Sequence, residues 1–128
     1  MFRVLLVDDE QIILDGLKNL ICWQEFGFSE VDAATSVQQA LAMIAKQSYD
    51  VLITDIRMRD LSGIDLLRHI HECRIPIKTI VLSSYSNFSY IKAALQYGIE
   101  NYLLKPVVEG GLRSTLSHVV EKIALKRE

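Results

Sequence analysis

The stretch VLITDIRMRD, residues 51–60, passes through four residues suited to a buried strand and then reaches a carboxylate at Asp55. Such a short run of apolar and β-branched residues is too short for a helix and fits a strand that is covered on both faces. Similar short runs recur at 2–7, 29–34, 77–82 and 101–104. We therefore predict five strands, with the one at 51–54 in the centre of the sheet.

Stretches with helical spacing of apolar residues follow each predicted strand. Two helix starts are marked by a serine with Gln or Asp three positions later, Ser36 with Gln39 and Ser62 with Asp65. The predicted helices cover 10–22, 36–47, a segment that starts at 62 and stops before Pro76, a segment near 87–97, and a segment from about 109 onward. Parallel strands need crossover helices, so strict alternation predicts an α/β fold. The expected architecture is (βα)5, a doubly wound five-stranded parallel sheet in a flavodoxin-like three-layer sandwich.

Size and charge limit the classes of function. The 128 residues fit one domain, and a net charge of -2 with scattered basic residues disfavours direct nucleic-acid binding by this segment. The sequence contains neither an apolar run long enough to cross a membrane nor a secretory signal pattern. We therefore expect a cytoplasmic protein with no membrane partner.

Polar residues follow the predicted strands. Asp8 and Asp9 follow the first strand, Asp55 the third, Ser83 and Ser84 the fourth, and Lys105 and Pro106 the fifth. Ligands of parallel sheets bind beyond the carboxyl ends of the strands, so these residues are expected to gather at one edge. Three carboxylates in one crevice either raise a pKa or bind a cation, and an all-oxygen ligand set favours Mg²⁺.

A carboxylate beside a cation, a lysine and a hydroxyl is suited to accept a phosphoryl group. Phosphoryl transfer needs in-line geometry and neutralisation of charge on the equatorial oxygens. We predict that Asp55 is the nucleophile, that Mg²⁺ and Lys105 neutralise oxygens, and that Ser83 donates a hydrogen bond. Any one of these residues alone is more often a turn or capping residue. Their joint occurrence after the correct strands is what indicates the chemistry.

Five separated motifs resemble the receiver domain of two-component response regulators along the whole chain. They are LLVDDE (5–10), DVLITDIRM (50–58), SG (62–63), VLSSYS (81–86) and YGIENYLLKPV (97–107). The resemblance implies a phosphorelay switch, not an enzyme, whose phosphoryl donor is a sensor histidine kinase. It implies that Asp55 is the phosphoacceptor and that Mg²⁺ is bound by Asp8, Asp9, Asp55 and the main-chain carbonyl of Arg57. Lys105 matches the lysine of the family motif, and the bond before Pro106 is expected to be cis. Ser83 and Tyr102 match the two switch residues.

The same resemblance implies how the signal leaves the site. Ser83 is expected to move towards the phosphoryl group, the loop 83–87 to follow, and Tyr102 to turn inward. The fourth helix, fifth strand and fifth helix would then present an altered face, which is also the expected dimer surface of the active form.

Four stretches are similar to receivers that carry an AraC-type DNA-binding domain downstream. They are ICWQEFGF (21–28), DIRM (55–58), SSYSNFSYIKAALQYG (83–98) and NYLLKPV (101–107). The resemblance implies that residues 1–128 are a single receiver domain, the N-terminal fragment of a longer transcription regulator. DNA would be contacted only through a C-terminal domain that is not in this chain.

Two positions depart from the family pattern. Arg59 follows Met58 where the family usually has proline, which frees the backbone after Asp55 and adds a cation near the site. Ser84 stands where a smaller Ala or Gly is common and is expected to narrow the entrance. Arg57 and Tyr85 flank the site and are expected to screen it from the water that hydrolyses the aspartyl phosphate. The lifetime of the phosphorylated state is left open by these changes.

Rival functions remain open at this point. A Mg²⁺-dependent phosphatase that forms an aspartyl phosphate would need a second acid two residues after the nucleophile, where this chain has Arg57. A stand-alone receiver that acts by docking to another protein fits the sequence. A receiver-like module that is never phosphorylated fits less well, because the acidic, hydroxyl and lysine set is complete.

Overall fold

The computed structural model describes residues 1–84 and 88–126, and these residues contain one five-stranded parallel sheet. The strands are β1 (Phe2–Val7), β2 (Phe28–Ala34), β3 (Val51–Thr54), β4 (Lys78–Ser83) and β5 (Asn101–Leu104). Their order in the sheet is β2-β1-β3-β4-β5, so the order reverses at β1, between β2 on one side and β3 on the other. This is the flavodoxin-like order, and the predicted fold class is confirmed.

Helices connect successive strands and cover both faces of the sheet. They are α1 (Gln11–Leu20), a short 3₁₀ helix (Trp23–Phe26), α2 (Val37–Lys46), α3 (Gly63–Glu72), α4 (Phe88–Gln96) and α5 (Glu109–Lys126). The predicted first helix, 10–22, was too long because the backbone is extended from Ile21, before the 3₁₀ helix begins. Residues 85–87 of the predicted loop 83–87, which include Tyr85, lie outside the described residues.

The central strands alternate their side chains between two apolar layers. Leu6 and Ile53 pack in one layer with α1 and α5, whereas Leu5 and Leu52 pack in the other with α2 and α3. All of β3, VLIT, is buried, as expected for a central parallel strand. Burial on both faces fixes the register of β3, so the residue that follows it has a defined position.

Trp23 closes the amino-terminal end of the sheet. Its indole N–H donates to the carbonyl of Leu17 at 3.2 Å, and its ring packs edge-on against Phe28, the first residue of β2. The side chain is buried in the layer beneath α1 and α5.

The two predicted helix starts differ in detail. Ser62 and Asp65 cap α3 reciprocally: Ser62 Oγ accepts from Ile64 N at 3.1 Å, and the Asp65 carboxylate accepts from Ser62 N at 3.0 Å. Ser36 Oγ accepts from Gln39 N at 3.0 Å, but the Gln39 side chain accepts from Thr35 N. The return bond therefore reaches one residue further back than the pattern predicts.

Across residues 1–84 and 88–126, no helix combines the length and the apolar character needed to cross a lipid bilayer.

Candidate functional site

Three carboxylates meet at the carboxyl edge of the sheet, beside the point where the strand order reverses. Asp8 and Asp9 follow β1 and Asp55 follows β3, and each offers an oxygen within 4.8 Å of the other two. Asp8 is 2% exposed and Asp55 is 9% exposed, whereas Asp9 is only partly buried. The predicted clustering of these acids is present in the structure.

Lys105 follows β5 and reaches across the edge of the sheet to two of the acids. Its Nζ donates to Asp8 Oδ2 at 2.6 Å and to Asp55 Oδ2 at 3.1 Å. Burial alone would lower the pKa of Lys105, but the hydrogen bond to Asp8 and the charges of Asp55 and Asp8 raise it overall. The ammonium therefore stays charged between the two carboxylates.

Asp55 is held by the backbone on both sides. Its N–H donates to the carbonyl of Val7 at 3.0 Å, which joins the end of β3 to β1. Its Oδ1 accepts from Ile56 N at 2.7 Å. Burial raises the pKa of Asp55 above its usual range, although Lys105 and the Ile56 N–H act in the opposite direction. Lys105 and the Ile56 N–H thus offset only part of the free-energy cost of burying the charged form of Asp55.

Asp8 is oriented by two donors. Its Oδ1 accepts from Glu10 N at 2.9 Å, while its Oδ2 accepts from Lys105. The Asp8 carboxylate therefore has a fixed direction at the start of α1.

The donor set fits Mg²⁺. Two oxygens bound to one Mg²⁺ at about 2.1 Å are at most about 4.2 Å apart. The three carboxylate oxygens already lie within 4.8 Å of one another, so they would have to move closer by only a fraction of an ångström to share one Mg²⁺. Arg57 lies two residues after Asp55, in the segment between β3 and α3. Hard oxygen ligands without histidine or cysteine match the preference of this cation.

Ser83 and Tyr102 lie on neighbouring strands next to the acids. Ser83 is the fully buried last residue of β4, and Tyr102 is a half-buried residue of β5. Burial raises the pKa of Tyr102, the charge of Asp55 adds to this, and a hydrogen bond with the Ser83 side chain opposes it. The two predicted switch residues are therefore already coupled to each other in this structure.

Ser84 and Pro106 border an apolar groove beside Lys105. The Lys105–Pro106 peptide bond is cis, as the family resemblance implied. The groove has a volume of about 460 Å³ and runs between α1 and the segment after β5, with Ile12, Leu20 and Val107 among its lining residues. Ser84 is exposed and lines this groove together with Lys105, and its expected effect on the entrance stays a prediction.

Gly63 has a steric role that the motif SG alone did not explain. Its N–H donates to the carbonyl of Ile56 at 2.6 Å, and a Cβ at this position would lie 1.9 Å from the carbonyl oxygen of Asp55. The start of α3 is thus pressed against the backbone of Asp55, and only glycine allows that approach. A glycine directly after a helix-capping serine was the signal in the sequence.

The loop between Asp55 and α3 makes two contacts that the sequence did not reveal. Arg59 Nε lies 3.6 Å from Asp9 Oδ2. The Asp60 carboxylate accepts from Val37 N at 3.2 Å and from Gln38 N at 3.0 Å, at the start of α2. Burial would raise the pKa of Asp60, but these main-chain hydrogen bonds lower it overall. Asp60 therefore caps a helix that precedes it by more than twenty residues.

Comparison with known proteins gives a consistent result. A family model described as response regulator receiver domain matches residues 4–117. Transcriptional regulatory protein HptR of Staphylococcus aureus is 39% identical over 96% of this chain and 48% of its own length. The chain spans between about a third and about half of the length of the curated relatives that it matches.

Two solved structures are similar over nearly the whole chain. The REC domain of AraT, a response regulator from Geobacillus stearothermophilus, superposes with a TM-score of 0.91 at 33% identity, covering 99% of this chain and 98% of that one. A two component transcriptional regulator AraC from Clostridium phytofermentans superposes with a TM-score of 0.89 at 30% identity, with the same coverage.

Proposed function

The chain belongs to the response regulator receiver domain family, and we propose that it is a switch controlled by phosphorylation of Asp55 by a sensor histidine kinase. The observation that carries this proposal is the position of Asp55, buried at a strand end between Lys105 and the two other acids. Burial raises the pKa of Asp55, so a cation bound at the site would stabilise its charged carboxylate.

Asp8, Asp9, Asp55 and the main-chain carbonyl of Arg57 would hold Mg²⁺ in this proposal. When bound, Mg²⁺ supplies positive charge to the phosphoryl oxygens and offsets the repulsion among the acids. The pairing of Asp8 with both Glu10 N and Lys105 keeps one ligand oriented before the cation arrives.

The chain's own residues would then carry the transfer. An oxygen of Asp55 forms the new P–O bond as the P–N bond to the donor histidine breaks, and the histidine leaves as imidazole. The Ile56 N–H already binds Asp55 Oδ1 at 2.7 Å, which favours reaction through the other oxygen. Lys105, 3.1 Å from that oxygen, would follow the phosphoryl group and neutralise part of its charge.

Ser83 and Tyr102 would transmit the change. A phosphoryl group adds charge of about -1.5 to -2 and strong acceptor oxygens, so it would draw the Ser83 hydroxyl towards Asp55. The contact between Ser83 and Tyr102 would then be altered, and Tyr102 would change position on β5. This local rearrangement is the proposed start of the switch.

The face that receives the change carries exposed apolar side chains on α4, on β5 and before α5. They are Phe88, Leu95, Leu104 and Val108. We assign this face to a second copy of the chain, because it is continuous with Tyr102 on β5 and because transcription regulators of this kind read paired DNA sites. Homodimerisation would therefore accompany phosphorylation.

The proposed output is transcription regulation through a DNA-binding domain that follows the receiver. One relative named above is a transcriptional regulatory protein about twice as long as this chain, and one similar structure is named as a two component transcriptional regulator AraC. The first name supports a transcriptional output, and the second supports an AraC-type output. In this proposal residues 1–128 are the N-terminal receiver of a longer protein. A stand-alone receiver that docks to a separate protein is the alternative.

The decisive experiment is phosphorylation in vitro. Incubation with Mg²⁺ and acetyl phosphate should add the mass of one phosphoryl group to the native chain and none to Asp55→Asn, measured by intact-mass spectrometry. A native chain that stays unmodified, or a variant that is modified equally, would overturn the assignment. Beryllofluoride binding with the same variant provides a second measurement that does not depend on turnover.

A further inference from the structure

The exposed Arg59 side chain pairs with Asp9, one of the three clustered acids Asp8, Asp9 and Asp55. Its Nε is 3.6 Å from Asp9 Oδ2, and the Asp9 side chain is 17% exposed whereas that of Arg59 is 83% exposed. Within residues 1–84 and 88–126, Arg59 is the only cationic side chain paired with Asp9, since Lys105 pairs with Asp8 and Asp55. The protein therefore supplies two cations to the three carboxylates: Lys105 to Asp8 and Asp55, and Arg59 to Asp9.

The loop that carries Arg59 is fixed on both sides. Asp60 binds the first two N–H groups of α2, at 3.2 and 3.0 Å. Ser62 Oγ donates to the carbonyl of Ile56 at 3.1 Å, and Ser62 caps α3. Arg59 lacks the restraint of a proline ring, but these contacts keep its backbone beside the acids. The guanidinium can thus change its orientation while the Arg59 backbone stays close to Asp9.

We propose that Arg59 is an internal counter-ion that competes with Mg²⁺ for Asp9. This inference rests on the proposed function, because it takes Asp9 as a Mg²⁺ ligand. Mg²⁺ requires direct contact with carboxylate oxygen at about 2.1 Å, and a guanidinium paired with the same carboxylate opposes the entry of Mg²⁺ by charge repulsion. Arg59 therefore raises the Mg²⁺ concentration at which the site fills.

The size of the effect follows from the exposure of the pair. Ion pairs of exposed side chains contribute little and are screened by salt. Removing the Arg59 charge should therefore tighten Mg²⁺ binding by about two- to fivefold at low ionic strength. The difference should shrink as KCl is added, because the pair is accessible to solvent.

Calorimetric titration of the whole chain with MgCl₂ tests the proposal. Arg59→Gln should bind Mg²⁺ more tightly than the native chain, and Arg59→Lys should lie between them. Lys46→Gln is the matched control, because Lys46 is exposed at the end of α2 and its loss changes the net charge equally. The control should bind Mg²⁺ as the native chain does.

A second measurement follows Arg59 itself. The NMR cross-peak of Arg59 Nε–H should shift as Mg²⁺ is added, with the same saturation as the amide of Asp9. Equal affinity in the native chain and Arg59→Gln, or a static Arg59 signal while Asp9 responds, would overturn the competition. A native chain that binds no Mg²⁺ would sink both this inference and the proposed metal site. Mg²⁺ competition without phosphorylation of Asp55 would support this inference and reject the proposed function.

Discussion

Lys105 Nζ lies 3.1 Å from Asp55 Oδ2, a contact that joins residues 50 positions apart in the sequence. The same ammonium is closer to Asp8 Oδ2, at 2.6 Å, so one cation serves two buried carboxylates. Burial nevertheless raises the pKa of Asp55, which means that the lysine offsets only part of the cost of its charge. Folding therefore disfavours the ionised form of Asp55 relative to the unfolded chain when no cation is bound.

Asp55→Asn should stabilise the fold at neutral pH in the absence of Mg²⁺. A carboxyl whose folded pKa is raised costs stability above that pKa, and the cost disappears as the pH falls through it towards the ordinary value of 3.8. Urea unfolding followed by circular dichroism should show the variant's advantage at pH 7 and a smaller one under acidic conditions. Mg²⁺ should reduce this difference in stability, since only the native site has all three carboxylates to bind the cation. A variant less stable than the native chain at pH 7 would contradict the conclusion that the charged form of Asp55 costs stability.

Gly63→Ala should destabilise the chain by at least about 1–3 kcal/mol, because the added Cβ would lie 1.9 Å from the Asp55 carbonyl oxygen. Gly16→Ala is the control, since Gly16 is an exposed position of α1 with no atom within 4 Å of the new Cβ. It should instead stabilise α1 by about 0.5–1 kcal/mol. Denaturant unfolding of both variants gives the comparison, and equal effects would refute the close approach.

Ser83→Ala should uncouple Tyr102 from the site. The Ser83 side chain is fully buried and interacts with the Tyr102 hydroxyl, so its loss should cost about 0.5–1.5 kcal/mol of stability. Beryllofluoride should shift the ring signals of Tyr102 in the native chain and much less in the variant, measured by NMR. Ser84→Ala, which changes an exposed neighbour, should keep the native response. A full Tyr102 shift without Ser83 would show that another path connects the two.

Asp60→Ala should cost about 0.5–2 kcal/mol at neutral pH, as for other helix-capping side chains. Main-chain hydrogen bonds from Gln38, Leu61 and Val37 outweigh burial and lower the Asp60 pKa. Its contribution is therefore complete above 3.8, the ordinary value, and is lost as the pH falls through the lower folded pKa. Asp60→Asn, which keeps one acceptor oxygen, should be intermediate. A loss of stability in Asp60→Ala that does not change with pH would argue against the carboxylate as the cap.

The positions of the main site residues could be predicted because they follow from local pattern and topology. VLIT is too apolar for an edge strand, so Asp55 had to lie at the carboxyl end of a central strand. Asp8 and Lys105 follow other strands of the same parallel sheet, and parallel strands share one carboxyl edge. Their roles in phosphoryl transfer remain predictions that the proposed experiments test.

Contacts between loops could not be predicted in the same way. Asp60 caps α2, but nothing in the sequence around Asp60 specifies which distant N–H groups it meets. The pairing of Arg59 with Asp9 depends equally on how two loops approach each other. The need for glycine at 63 depends on the distance between backbones, which a motif marks without explaining. Periodicity predicts elements and their edges, whereas these contacts arise only from packing.

Trp23 gives the chain a fluorescence signal at the end of the sheet opposite the candidate site. The indole is buried against Phe28 at the start of β2, a whole strand length from the acids that follow β1 and β3. Its emission should therefore report cooperative loss of the core and stay silent towards events at Asp55. A variant that is not phosphorylated but still shows the cooperative unfolding transition of Trp23 has kept its fold and lost a residue of the site, while one that shows no such transition has lost its fold.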